Sequence, residues 1–306
     1  MGKIAFVFSG QGAHHAGMGE DFYNNSESVK KLFDTAEEYR KGTLDQCFNG
    51  SAEVLKRTEN TQPCLYLADI ASAMYLDEKG LKADAVAGFS LGELPALAYA
   101  GAFSPEEGFK ITAKRGELMG KAADKTDAAM VAVLKLPNDE VESLCSRYEH
   151  VYPVNYNSPG QLVVSGKTDE LELFKADAKA AGGRVVPLAV GGGFHSPFMN
   201  EASKGFGEYL KTADVNKPKL TAYSNFTASP YGDNPKELLE KQINNPVKWE
   251  ITVRKLWDEG FDTFIETGVG TTLTKLISKI LPEAKCYAVE NCEQAESVLK
   301  ELGKDA

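Results

Sequence analysis

Short apolar runs alternate with longer amphipathic stretches along most of this chain, the pattern of an α/β protein in which helices separate buried strands. The apolar runs predict strands at Lys3–Phe8, Ala85–Ala87, Leu220–Ser224, Asp262–Ile265 and near Cys286–Val289. Helical spacing covers Gln62–Leu76, Leu91–Ala100, Pro105–Lys121, Pro197–Thr212, Pro235–Gln242, Val247–Glu259 and Thr271–Leu281. Pro105 and Pro197 stand where the first turn of a helix loses no hydrogen bond to proline.

The middle of the chain has a different order. It runs strand (Ala129–Leu134), helix (Asn138–Tyr148), strand (Val151–Asn155), strand (Gln161–Ser165), helix (Asp169–Ala181), strand (Arg184–Leu188). Asn157-Ser158-Pro159-Gly160 supplies the turn between the paired strands. This βαββαβ order is the ferredoxin-like pattern. The expected architecture is α/β: a large α/β-hydrolase-like body with a mainly parallel sheet, plus an inserted ferredoxin-like (βαββαβ) subdomain. The body takes residues 1–125 and 191–306 and the insertion 126–190, with hinges expected near Lys125 and Gly191-Gly192-Gly193.

With 306 residues the chain has ample length for a full core. Acidic residues outnumber basic ones, 44 to 34, which argues against a nucleic-acid partner. The first apolar run ends at Ser9-Gly10, too short for a secretory signal, and reads as a buried strand. No stretch approaches the length of a membrane span, so no membrane association is expected. Five scattered cysteines without zinc spacing suit reduced thiols and a cytoplasmic location, with no metal site.

The chemistry concentrates at Gly88-Phe89-Ser90-Leu91-Gly92, between a predicted strand and a predicted helix. That setting strains a serine into an exposed turn and aims free helix N–H groups at the same point. A serine nucleophile needs a base. Of four histidines, His195 follows three glycines at the mouth of a helix, whereas His150 reads as surface among charged residues. His14 and His15 lie in a polar loop and are open to lining a site, and a satisfied buried histidine is the plainer reading of His195. Gly10-Gln11-Gly12 fails the dinucleotide fingerprint at its third glycine, where His15 stands. The loop also suits a backbone oxyanion donor at Gln11, or a simple turn.

Several segments together resemble the malonyl-CoA:acyl carrier protein transacylase family. They are Phe8–Gly12, Gly88–Glu93, Lys114-Arg115-Gly116, Asn155–Gln161, Phe194–Met199, Asn245–Trp249 and Glu266–Gly270. The resemblance spans nearly the whole chain in order. It implies Ser90 as nucleophile, His195 as general base then acid, and the Gln242 main-chain carbonyl as the group orienting His195. Gln11 and Leu91 would supply oxyanion N–H groups. Arg115 would pair with the free malonyl carboxylate; taken alone, Arg115 reads as a solvated helix-face arginine. Asn155 and Asn157 would bind substrate by walling the cleft, and Phe89 and Phe194 would contact the acyl group, Phe194 favouring malonyl over methylmalonyl. The substrates implied are a coenzyme A thioester, malonyl-CoA, and a phosphopantetheine-bearing acyl carrier protein of fatty-acid or polyketide synthesis, with no bound cofactor.

Three positions depart from the family pattern. Phe89 stands where histidine is usual, Ser9 where proline is usual, and Val269 interrupts the usual Gly-Pro-Gly. Acidic carrier proteins need a basic face, for which Lys275, Lys279 and Arg184 are candidates. A monomer is expected. The alternatives at this stage are a serine thioesterase or esterase, a transacylase with a different acyl-CoA preference, and a non-catalytic carrier-binding module.

Overall fold

The computed structural model describes residues 2–303. Strand β1 (Lys3–Phe8) is followed by four short helices: α1 (Glu20–Asn25), α2 (Glu27–Tyr39), α3 (Thr43–Asn49) and α4 (Ala52–Lys56). None of these was expected; α1, α3 and α4 are only 6, 7 and 5 residues long, but α2 buries one regular helical face through Val29, Leu32, Phe33 and Ala36, a spacing the sequence does carry. The long helix α5 (Thr58–Glu78) is buried on nearly every side. Strand β2 (Ala85–Gly88) leads through a 3-10 turn at Ser90–Gly92 into α6 (Glu93–Tyr99), then α7 (Pro105–Ala123).

The middle of the chain forms β3 (Ala128–Leu134), α8 (Asn138–Cys145), β4 (Val151–Ser158), β5 (Gln161–Lys167), α9 (Thr168–Ala180) and β6 (Arg184–Pro187). The return to the body builds α10 (Asn200–Thr212), β7 (Thr221–Ser224), β8 (Ser229–Pro230), α11 (Pro235–Gln242) and α12 (Trp249–Asp258). The last elements are β9 (Phe261–Thr267), α13 (Thr272–Ile280), β10 (Lys285–Val289) and α14 (Cys292–Glu301).

Two sheets result. The larger has the order β10-β9-β1-β2-β7-β8, parallel except for the short edge strand β8. Ile4, Phe6 and Phe8 of β1 enter one core while Ala5 and Val7 enter another, so both faces of this sheet are covered. The smaller sheet, β4-β5-β3-β6, is antiparallel throughout. One of its faces packs on α8 and α9 through Val131, Val133, Leu162 and Phe174. The other face, with Met130, Ala132 and Val163, joins the core of the larger unit.

Two expectations need correction. The turn between the paired middle strands is Pro159-Gly160 alone: Asn155, Asn157 and Ser158 belong to β4, because the ladder continues to the Ser158–Gln161 pair. The helix expected over Pro197–Thr212 is a 3-10 turn at Pro197–Met199 followed by α10, with Ser196 Oγ accepting the Phe198 N–H. No helix among the described residues is long and apolar enough to cross a membrane.

Candidate active site

Ser90 sits at the carboxyl end of β2 with a left-handed φ of +53°, a strained conformation for a non-glycine residue. Only glycine fits two positions either side. A Cβ on Gly88 would lie 1.9 Å from the main chain of Gly92, and one on Gly92 would lie 2.2 Å from the Phe8 carbonyl oxygen. Asn225, the first residue after the neighbouring strand β7, clamps the turn. Its Oδ1 accepts the Ser90 N–H at 2.6 Å and its Nδ2 donates to the Gly88 carbonyl at 2.6 Å.

His195 comes from the segment returning out of the smaller unit and also has positive φ, +60°. Gly192 before it lets this segment press onto α7, since a Cβ there would lie 2.5 Å from that of Ala123. The His195 Nε2 atom is 2.7 Å from Ser90 Oγ, and its Nδ1 is 2.9 Å from the Gln242 carbonyl oxygen. A carbonyl can only accept, so Nδ1 carries the proton and Nε2 is left as acceptor for the serine hydroxyl. Burial, then the nearby Arg115 charge, lower the His195 pKa to about 4, so the ring is neutral at physiological pH.

Arg115, on α7, is fully buried rather than solvated. Its Nη1 donates to Gln62 Oε1 at 2.9 Å, and its Nη2 donates to Gln242 Oε1 at 2.8 Å and to Ser90 Oγ at 3.3 Å. Burial lowers its pKa to about 10, still charged at neutral pH. Gln242 is therefore shared by the whole site: its main-chain carbonyl holds His195, its Oε1 holds Arg115, and its Nε2 donates to the Ser90 carbonyl at 2.5 Å.

Beneath this lies Glu93, fully buried and missed as a site residue by the sequence reading. It accepts hydrogen bonds from Tyr231 Oη, Gln242 Nε2 (3.0 Å) and the Asn225 N–H (3.2 Å). Burial pushes its carboxyl up to about 7 against those donors. Gln62, Asn225 and Tyr231 were missed for the same reason: nothing local marks a polar residue as second partner to a site assembled from distant segments.

Two adjoining cavities lead to the serine, and the inner one is lined by it. The inner one, about 80 Å³, is lined by Gln11, Ser90, Leu91, Phe194 and His195 among others. The outer one, about 230 Å³, lies between the Gly10–Ala13 loop and α13 of the larger unit and Asn155, Asn157 and Gln161 of the smaller. Phe89 borders both cavities and its ring stands edge-on to Trp249 at 5.7 Å. Asn155 Oδ1 and Asn157 Oδ1 are buried with no partner among the described residues. The main-chain N–H groups of Gln11 and Leu91 likewise take no partner among those residues.

The remaining candidates lie outside this constellation. Lys275 and Lys279 are exposed on α13, whose Thr272 and Leu276 line the outer cavity, and Arg184 is exposed on the edge strand β6. His15 bonds Glu290, and His150 pairs with Glu170 at the surface. Neither His14 nor His15 borders the cavities at Ser90.

Chemically, this is a half-buried serine on a buried histidine beside a fixed cation, with room for an acyl group and unclaimed donors. The acyl transferase domain family matches residues 5–303. The malonyl CoA-acyl carrier protein transacylase of Bacillus subtilis is 36% identical, over 100% of this chain and 99% of its own length. The crystal structure of the malonyl CoA-acyl carrier protein transacylase from Clostridium perfringens has a TM-score of 0.95 at 35% identity, covering 99% of this chain and 98% of that one. A complex of a type II PKS acyl-carrier protein with its malonyl-transacylase matches at a TM-score of 0.93 and 30% identity, covering 98% and 99%.

Proposed function

The chain belongs to the acyl transferase family, and from that membership we propose that it moves a malonyl group from malonyl-CoA to the phosphopantetheine thiol of an acyl carrier protein. The observation that carries the reading is the pairing of half-buried Ser90 with buried His195, with the Arg115 guanidinium 3.3 Å from the nucleophile. Relatives named as malonyl transacylases, one of them caught with a carrier protein, support the substrate pair.

His195 takes the Ser90 proton as Oγ attacks the thioester carbonyl, and the Gln11 and Leu91 N–H groups receive the oxyanion. Losing one such donor typically costs ~10²–10³-fold in rate. CoA leaves with the proton from His195. The carrier thiol then enters, gives its proton to His195 and attacks the acyl carbonyl; the acyl–Oγ bond breaks and His195 passes the proton to Ser90 Oγ. Arg115 holds the malonyl carboxylate through parallel hydrogen bonds. That pairing also offsets the charge that depresses His195, so a carboxylated substrate strengthens its own base. Phe194 and Phe89 bound the acyl pocket, and crowding there favours malonyl over methylmalonyl by about 1–3 kcal/mol. Asn155 and Asn157 wall the cleft and offer unpartnered oxygens to the substrate.

The architectural reading is a hydrolase-like body (1–125 and 191–306) with a ferredoxin-like insertion (126–190). The strand–Ser90–helix turn supports the first part; the βαββαβ order with sheet order β4-β5-β3-β6 supports the second. Lys275, Lys279 and Arg184, exposed and unpaired with any acid among the described residues, are the proposed carrier contacts. No resident cofactor, a cytoplasmic location and a monomeric state complete the reading. The test against a thioesterase compares two rates on malonyl-CoA: transfer to holo carrier protein, and release of free malonate without it. Transfer must be far faster; equal rates would make the protein a hydrolase.

A further inference from the structure

Asp69 is an acid in the core with no part in the chemistry above. It lies on α5, two turns from Gln62 on the same face, and has no solvent exposure. Ser9 Oγ donates to its Oδ1 at 2.9 Å. Ser9, itself buried, is the last residue before the Gly10-Gln11 turn that carries one proposed oxyanion donor. On the other side Asp69 meets Gly268, which holds a left-handed φ of +102°; a Cβ on Gly268 would fall 1.7 Å from Oδ1. Val269, the next residue, lines the outer cavity.

One turn further along α5, Ser72 Oγ donates at 2.7 Å to the Val289 carbonyl, which also accepts the Gly268 N–H at 3.1 Å. This face of α5 thus fastens the carboxyl ends of three parallel strands, β1, β9 and β10, through polar contacts in a dry core. Burial pushes the Asp69 carboxyl well above its usual range, the Ser9 hydroxyl opposing and Glu266 adding to the shift. Its Oδ2 has no partner among the described residues. An apolar residue would cost less here, so the acid needs a reason beyond stability.

We propose that Asp69 is a positioning residue for the oxyanion donor: its carboxyl clamps Ser9 and braces Gly268, fixing the Gln11 N–H and the Val269 wall around the acyl group. The proposal rests on the transferase reading. Single-turnover acylation of Ser90 by malonyl-CoA, followed by intact mass, tests it in Ser9→Ala, Asp69→Ala, their double variant and Asp69→Asn. Ser9→Ala removes one oxygen and little packing; Asp69→Asn keeps an oxygen acceptor of the same size.

Ser9→Ala and Asp69→Ala should each slow acylation by on the order of tenfold, a fraction of the loss of a whole oxyanion donor. The KM for malonyl-CoA should stay within about twofold, as expected for a loss felt in the transition state. The double variant should be no slower than Asp69→Ala, and Asp69→Asn should restore most of the rate. Additive losses, or a wild-type rate in Ser9→Ala, overturn the clamp. If Asp69→Ala does not fold, a slow Ser9→Ala with a near-normal Asp69→Asn supports it, and the reverse overturns it. A wild-type enzyme that takes up no malonyl group overturns both this proposal and the transferase reading.

Discussion

Replacing Arg115 by alanine should change which acyl group the enzyme prefers rather than abolish acyl transfer outright. The guanidinium is fully buried and 3.3 Å from Ser90 Oγ, within reach of the carboxylate of a malonyl group attached there. Truncating one partner of a buried, hydrogen-bonded charge pair costs about 2–5 kcal/mol, roughly 30- to several-thousand-fold. Acetyl-CoA presents no carboxylate and cannot lose that pair. Two smaller effects act on both substrates. Gln62 and Gln242 lose a donor, which loosens the carbonyl that orients His195. Against this, removing the positive charge that depresses His195 strengthens the base. Acetyl transfer should therefore stay within about tenfold of wild type, each opposing term being on the order of 1 kcal/mol. The assay is kcat/KM for transfer to holo carrier protein from malonyl-CoA and from acetyl-CoA, with a thermal melt to establish folding. The malonyl-to-acetyl ratio should fall at least about thirtyfold in Arg115→Ala, and less in Arg115→Lys, which keeps charge but not the fork. Equal losses on both substrates in a folded variant would refute the carboxylate role.

Because the His195 pKa is lowered to about 4, kcat/KM for malonyl-CoA should stay level from neutral pH down to about 5 and fall below that as the ring takes a proton. The same group gives an acid limb to stability. The folded state prefers neutral imidazole, so this contribution is present above the unfolded value near 6.5 and is lost as pH falls through about 4, measurable by melts across that window. Gly88→Ala should cost about 3 kcal/mol or more, because the clash at 1.9 Å is with main chain that cannot rotate away; an unchanged melting temperature would contradict the close approach. Lys275→Glu with Lys279→Glu should raise KM for the carrier protein several-fold, less at high salt, without changing acylation by malonyl-CoA. A KM that does not move would remove α13 from the docking surface.

Much of the fold was legible where a buried strand or one-sided helix leaves a periodic trace. Strand β1 and helix α11 match their expected limits, and most other strands fall within three residues of theirs. Helices α1, α3 and α4, of 6, 7 and 5 residues, left too little periodicity to be read, whereas α2 carries a regular i, i+3, i+4, i+7 face at Val29, Leu32, Phe33 and Ala36 that was passed over. The site was legible where chemistry constrains the local chain: a serine between glycines on a strained turn, and a histidine after three glycines. Arg115 shows the limit. On α7 its neighbours resemble those of a solvated arginine, and its burial comes from Gln62 on α5 and Gln242 on α11, far away in sequence. Glu93, Asn225 and Asp69 were silent for the same reason, since each acquires its role only when a distant segment folds against it.

In the proposed reaction Ser90 carries the acyl group between two thiols. Mixing the protein with malonyl-CoA, mapping the adduct by peptide mass spectrometry and chasing with holo carrier protein tests it most directly. One malonyl group is expected on Ser90, absent in Ser90→Ala, that leaves on the chase and appears on the phosphopantetheine arm. An adduct on another residue, or one that disappears into free malonate while the carrier stays unloaded, would contradict it.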